Sequence, residues 1–222
     1  MKITKTGLSA CAVAALLTGT AGCTDQAGGT AAERATRAIG TACANGTYTW
    51  FDVDTREVLT GVAERQKLGE GGGALTHRLS PLHTPVTAVT YEKGPRVDAE
   101  ATLRSLGAHI GDPDATGGGD YGFADVHRPG PGLRSGTTSV DGAGTFVDFS
   151  WVRQVVADFR YTCGNGKQAV GRAISWTTDG SGVVECSTTL TNAKPDEAAA
   201  AEAARLSCGP DSPAAEAAAK GR

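Results

Sequence analysis

Between positions 147 and 163 the apolar side chains fall on odd numbers: Val147, Phe149, Trp151, Val155, Ala157, Phe159, Tyr161 and Cys163. The even positions carry Asp148, Ser150, Gln154, Asp158, Arg160 and Thr162. A period of two places successive side chains on opposite faces of an extended chain, so this stretch predicts a half-buried β-strand. Arg153 interrupts the apolar face, which predicts one long bent strand or two strands joined near 152–154. Residues 169–176 and 183–190 are β-rich runs on either side of Asp179-Gly180-Ser181-Gly182, a sequence that predicts a hairpin turn. Upstream, Tyr48, Trp50, Val53, Val58, Leu59 and Val62 mark two short strands separated around Asp54-Thr55. Two further strands are predicted at 74–79 and 86–91, with Pro81 and Pro85 confining their connection to a turn or a sheet edge.

Helical periodicity is confined to two places. Over 98–109 Asp98 supplies a cap, and Leu103, Leu106 and Ile110 recur at spacings of three and four, although Gly107 weakens the helix. Over 196–207 Pro195 fits the first helical position, Asp196 and Glu197 the first turn and Arg205 the last, which complements the helix dipole. Gly209-Pro210 ends it. Residues 64–73 read as a glycine-rich loop and 111–144 as a long irregular loop with a short strand at 122–127. The expected fold class is mainly β: a single antiparallel β-rich domain, sandwich-like or a half-barrel, over 43–208, with one internal helix and a C-terminal helix, then an Ala-rich tail over 209–222.

The N-terminus follows a different pattern. Lys2 and Lys5 precede an apolar run at 8–17, and Thr20-Ala21-Gly22-Cys23 follows. The run is short of the roughly 20 apolar residues a spanning helix needs, and it suits the core of a cleavable export signal. This order resembles the signal of bacterial lipoproteins, in which the cysteine thiol is acylated and the chain is cut just before it. The resemblance implies a signal peptide over 1–22, a lipid on Cys23, and attachment to the outer face of the cell membrane. Thr20 departs from the leucine usual in that family; the alternative is ordinary secretion, with cleavage after Ala21 or nearby. The abundance of Ala, Gly and Thr, and of Arg over Lys, resembles actinobacterial, Streptomyces-like proteins; it implies no activity. Residues 24–40 are small and polar with only Ile39 bulky, which predicts a flexible tether, so that 23–42 form the anchor and its linker.

Cysteine count supports that reading. Of the six cysteines, Cys11 leaves with the signal and Cys23 takes the lipid. Cys43, Cys163, Cys186 and Cys208 remain, enough for two disulfides in an oxidising compartment. Pairing Cys163 with Cys186 and Cys43 with Cys208 is preferred here over Cys43–Cys163 with Cys186–Cys208. No Cys-x-x-Cys motif is present, which argues against a redox or zinc site.

Charge narrows the partners. The whole chain carries a net charge of −3, and removing the signal takes away Lys2 and Lys5. A mildly acidic surface gives no electrostatic reason to expect nucleic acid, which wants clustered Lys and Arg.

Catalytic chemistry is sparse. His77, His83, His109 and His127 form no His-x-His or His-x-x-x-His pair. His77 and His83 flank a proline turn and are placed to meet across it; a histidine backed by Asp120 or Asp125 is the remaining route to a hydrolase. There is no Gly-x-Ser-x-Gly elbow and no Ser-x-x-Lys. Asp112, Asp114, Thr116 and Asp120 loosely imitate a calcium loop but lack its closing Glu. The glycines of 69–73 and 130–132 read as turns without a phosphate-binding context. Tyr48, Trp50, Trp151, Tyr161 and Trp176 read as core fillers. No catalytic, cofactor-binding or metal residue and no cofactor is assigned. The expected function is a lipid-anchored, extracytoplasmic, non-catalytic binding module for an envelope protein or cell-wall component. The alternative is a cell-surface hydrolase using His and Asp side chains from separate loops.

Overall fold

The computed structural model describes residue 43 and residues 45–111, 122–133, 136–190 and 197–220. The signal peptide, Cys23, the tether, the calcium-like loop at 112–120 and the pair Pro195-Asp196 lie outside the described residues.

Three long strands dominate: β1 (Thr47–Val62), β7 (Gly144–Thr162) and β8 (Gln168–Glu185). Shorter ones are β2 (Gln66–Leu68), β3 (Gly73–His77), β4 (Ser80–Pro81), β5 (Ala88–Lys93) and β6 (Gly136–Val140). The helices are α1 (Ala99–Ile110), α2 (Ala198–Ser207) and α3 (Pro213–Lys220). The main sheet has six strands in the order β4-β1-β7-β8-β5, with β2 also on β7; β3 and β6 form a separate pair. All pairings are antiparallel. The fold is mainly β and does not close into a barrel.

The period-two pattern of β7 is realised as one strand. Its odd positions feed three apolar clusters in turn: Val147 and Phe149 with α2, Val155 and Ala157 with α1, and Phe159, Tyr161 and Cys163 with Val97 and Ala169. Arg153 is exposed where the first two clusters part, so the break in the pattern marks a gap between two covers. Asp148, Ser150, Val152 and Gln154 are buried as well, so this half of the strand is covered on both faces.

The predicted α1 forms, capped by Asp98, whose carboxylate accepts from the Ala101 N–H at 2.7 Å, and ended by Gly111 in the left-handed region. Several expectations are corrected. The runs around Asp54-Thr55 are one strand, β1, with an irregularity between Phe51 and Asp54 where Asp52 takes a φ of +50°. The stretch 122–127 is a pair of turns, not a strand, with the Asp125 N–H on the Gly122 carbonyl and the Arg128 N–H on Asp125. The loops expected at 64–73 and 111–144 contain β2 and β6. The tail includes α3, which buries Ala214 and Ala215; an alanine face is enough because it lies close against another alanine-rich helix.

The largest correction concerns 179–182. No turn forms there; β8 runs straight through with a bulge opposite Arg153. Gly180 and Gly182 serve their cross-strand neighbours instead. A Cβ at Gly180 would stand 2.5 Å from Trp151 Cε2, and one at Gly182 would stand 2.7 Å from Phe149 Cζ. The rings therefore lie across bare backbone. The turn between β7 and β8 is at 164–166, where Gly166 takes a φ of +78°.

With β8 unbroken, Cys163 and Cys186 sit at opposite ends of it, roughly 55 Å apart at about 3.3 Å per residue. The preferred pairing is thus excluded, and the disulfides are Cys43–Cys163 and Cys186–Cys208. Each joins an element to the sheet end it already lies against. Two disulfides mark the domain as extracytoplasmic. Among the described residues no helix is long and apolar enough to cross a membrane.

Candidate functional site

The Cys186–Cys208 bond organises one end of the sheet. β2 adds to the start of β7, β8 stops at Glu185, and the disulfide draws the end of α2 onto Cys186. The Ala214 N–H donates to the Cys186 carbonyl at 3.3 Å, which seats α3 beside it. Between these pieces lies an open groove of about 790 Å³ whose charged lining is Arg65, Lys67, Glu185 and Asp211.

Its walls are held by backbone contacts. Arg65 Nη1 donates to the Cys208 carbonyl at 3.0 Å, and Ser212 Oγ donates to the Gly209 carbonyl at 2.9 Å. Ser187 Oγ donates to Glu185 Oε1 at 2.6 Å. Two cations and two carboxylates give the groove no net charge. That suits a ligand of mixed charge, such as a polypeptide, and does not suit a polyanion. A serine becomes a nucleophile when a base takes its proton. Here, among the described residues, Ser187 meets a carboxylate with no imidazole beside it, and no histidine lines the groove.

A second groove, of about 480 Å³, runs between β1 and α2, where Leu82 and Leu206 stand exposed beside Leu59 and Ala199. Its lining is mostly apolar.

His83, His109 and His127 lie in separate parts of the fold. His77 ends β3, opposite Gly136. His83 is exposed after β4, with its backbone N–H on the Thr60 carbonyl at 3.4 Å. His109 lies in the last turn of α1, stacked on Trp50 with centroids 6.4 Å apart. His127 is exposed, and the Asp125 carboxylate, a candidate backing acid, accepts from the His127 backbone N–H at 2.8 Å. Among the described residues no group of three or more His, Cys, Asp or Glu side chains is arranged to hold a metal.

The aromatic residues are structural. Tyr48 stacks on Trp50 at 5.5 Å and leans on Tyr161 at 4.5 Å. Its hydroxyl meets Thr102 Oγ1 at 2.8 Å, and burial raises its pKa above the usual tyrosine value despite that bond. The Arg128 guanidinium lies 3.3 Å above the Trp176 ring while Nη1 donates to the Trp176 carbonyl at 2.9 Å. Sequence reasoning missed the groove because its side chains come from four separate stretches, three joined by the pairing of β2 and β8 with β7 and the fourth brought in by the second disulfide. Comparisons with protein-family models, curated proteins and solved structures return no match.

Proposed function

We propose that this chain is a lipid-anchored, extracytoplasmic binding module that holds an envelope protein or cell-wall component in the groove beyond the end of its sheet and catalyses nothing. The observation that carries this reading is the groove itself: a mixed-charge recess braced by a disulfide, with hydrogen-bonded walls and no imidazole among its described lining residues. The anchor is Cys23. Two acyl chains there, at about 0.8 kcal/mol per buried methylene, hold a domain at a membrane stably.

The test uses the full-length protein in intact cells, with a photo-crosslinking residue in place of Lys67. An envelope component attached through that position supports the module; no attachment while the protein stays folded and membrane-bound overturns the groove as its site. Single His83→Ala, His109→Ala and His127→Ala substitutions should leave the cellular role intact. Loss of that role in one of them, with the fold preserved, would return the hydrolase. Cys23→Ser should release the protein to the medium, and retention at the membrane would remove the anchor.

A further inference from the structure

The edges of the main sheet are not alike. A free edge displays unpaired N–H and C=O groups, and proteins blunt such edges by shortness, proline, charge or bulges. β4 is two residues long and contains Pro81. β5 has six residues, ends in Glu92 and Lys93, and is irregular there. β2 has three residues, and the Gln66 side chain bonds both the N–H and the carbonyl of Thr76.

β8 is different. β5 covers it only as far as Ile174, and Arg128 takes the Trp176 carbonyl. Beyond the bulge, Gly180 to Glu185 pair, among the described residues, with β7 alone. The Cys186 N–H on the Thr145 carbonyl at 2.8 Å fixes 145 and 186 as a hydrogen-bonded pair. Antiparallel pairs alternate, so 184, 182 and 180 bond to β7 while 181, 183 and 185 turn their N–H and C=O outward. The Glu185 carbonyl is taken by the Thr188 N–H at 3.0 Å. The outward groups of Ser181 and Val183 meet no partner among the described residues, and Ser181 is exposed. No proline or charged side chain stands at 180–184.

We propose that the outer edge of β8 from Ser181 to Glu185 receives an extended segment of a partner protein as an added strand, which runs on into the groove at Glu185. This rests on the binding-module reading and names the chemistry of its partner. Alternating outward N–H and C=O groups are matched by extended backbone. Phe149 over Gly182 is buried under α2, while the half-buried Trp151 ring, lying over Gly180, gives apolar surface on one side of that edge. An added strand would set an apolar side chain against it, since alternate residues of such a strand share one face. β8 ends at Glu185, which also lines the recess of Arg65, Lys67 and Asp211. A segment passing Glu185 fills both features, whereas two copies paired edge to edge about Val183 would stop at Glu185 and leave both grooves empty.

The test uses full-length protein in detergent and a displayed library of linear peptides selected against it. With a selected peptide at saturation, amide exchange at Ser181 and Val183 should slow by on the order of ten-fold or more, because these donors are bonded only in the augmented sheet. Val183→Pro, which deletes one of those donors, should abolish binding, and Val183→Thr, which keeps it, should not. Exchange on the unmodified protein stands even if the proline variant does not fold. Peptides that bind without slowing these two amides overturn the edge while leaving the groove reading intact. A symmetric dimer whose contact protects the same amides overturns the partner in favour of a second copy. Failure to select any peptide, together with no attachment through Lys67, overturns both readings.

Discussion

The Trp151 indole lies across the backbone of Gly180, its cross-strand neighbour, so closely that a Cβ there would sit 2.5 Å from Cε2 and 2.8 Å from Nε1. Trp151 packs beside the apolar cluster under α2, so its ring has little room to retreat. Gly180→Ala should therefore destabilise the fold by about 1–3 kcal/mol, the usual cost of forcing extra atoms into a packed site. Gly132→Ala, where a Cβ meets nothing within 4 Å, is the control and should stay within about 0.5 kcal/mol. Denaturant unfolding of the three proteins decides it; equal midpoints would show that the ring is free to move.

The two disulfides should contribute unequally. Cys43–Cys163 closes a separation of 120 residues and Cys186–Cys208 one of 22. Restriction of the unfolded chain then gives about 5 kcal/mol for the first and about 3.5 kcal/mol for the second. Replacing each pair by serines should lower stability in that order. The second pair should also lose the protection of α3 amides against exchange, since Cys186 carries both the bond to α2 and the carbonyl that holds Ala214. Retained protection would show that α3 is seated by its alanine face alone.

How far the fold was legible follows from which signals are local. Period two over 147–163 announced β7, and Asp98 with Leu103 and Leu106 announced α1, because each depends on residues close in sequence. Gly180 and Gly182 misled because a glycine serves a turn and a cross-strand ring equally well. The second role is visible only once Trp151 and Phe149 are known to lie opposite. That one misreading folded β8 back on itself and carried the disulfide pairing with it. The candidate site was less legible still: Arg65 with Lys67, Glu185, and Asp211 belong to three separate stretches with no shared motif. The β8 edge is defined by which strand is absent beside it among the described residues. A cross-strand reading, small residues on one strand against aromatics two apart on another, is the signal that would have found it.

Arg128 should matter to stability through its shape as well as its charge. Its guanidinium covers the Trp176 ring and closes the last carbonyl of the β8 edge before the bulge. Lysine keeps the charge but presents no planar face to stack and no fork to reach the carbonyl at the same time. Arg128→Lys should thus lose most of what Arg128→Ala loses, about 1–3 kcal/mol, with a matching change in tryptophan fluorescence. Trp176 Nε1 is buried and meets no hydrogen-bond partner among the described residues, so Trp176→Phe gives up no hydrogen bond to them and should cost only lost packing. Full rescue by lysine would assign the effect to charge alone.

Asp158 gives the pH dependence its sign. Arg172 Nε and Nη2 donate to its carboxylate at 2.6 and 3.1 Å across the β7–β8 pair. Those bonds hold the Asp158 pKa below its ordinary value of 3.8, against a smaller opposing effect of burial. A carboxylate whose pKa is lower folded than unfolded stabilises the fold above the unfolded value, and that contribution fades as pH falls through the folded one. It is therefore complete at neutral pH and lost below about 3.8, where the unfolded chain takes up the proton first. Because the pair lies at the surface, the change should be small and weakened further by salt. Arg172→Gln should return the Asp158 titration, followed by carboxyl NMR, toward 3.8 and remove this slope from the acid limb of unfolding. An unchanged titration would mean that the hydrogen bonds, although well aligned, do not outweigh hydration of the free carboxylate.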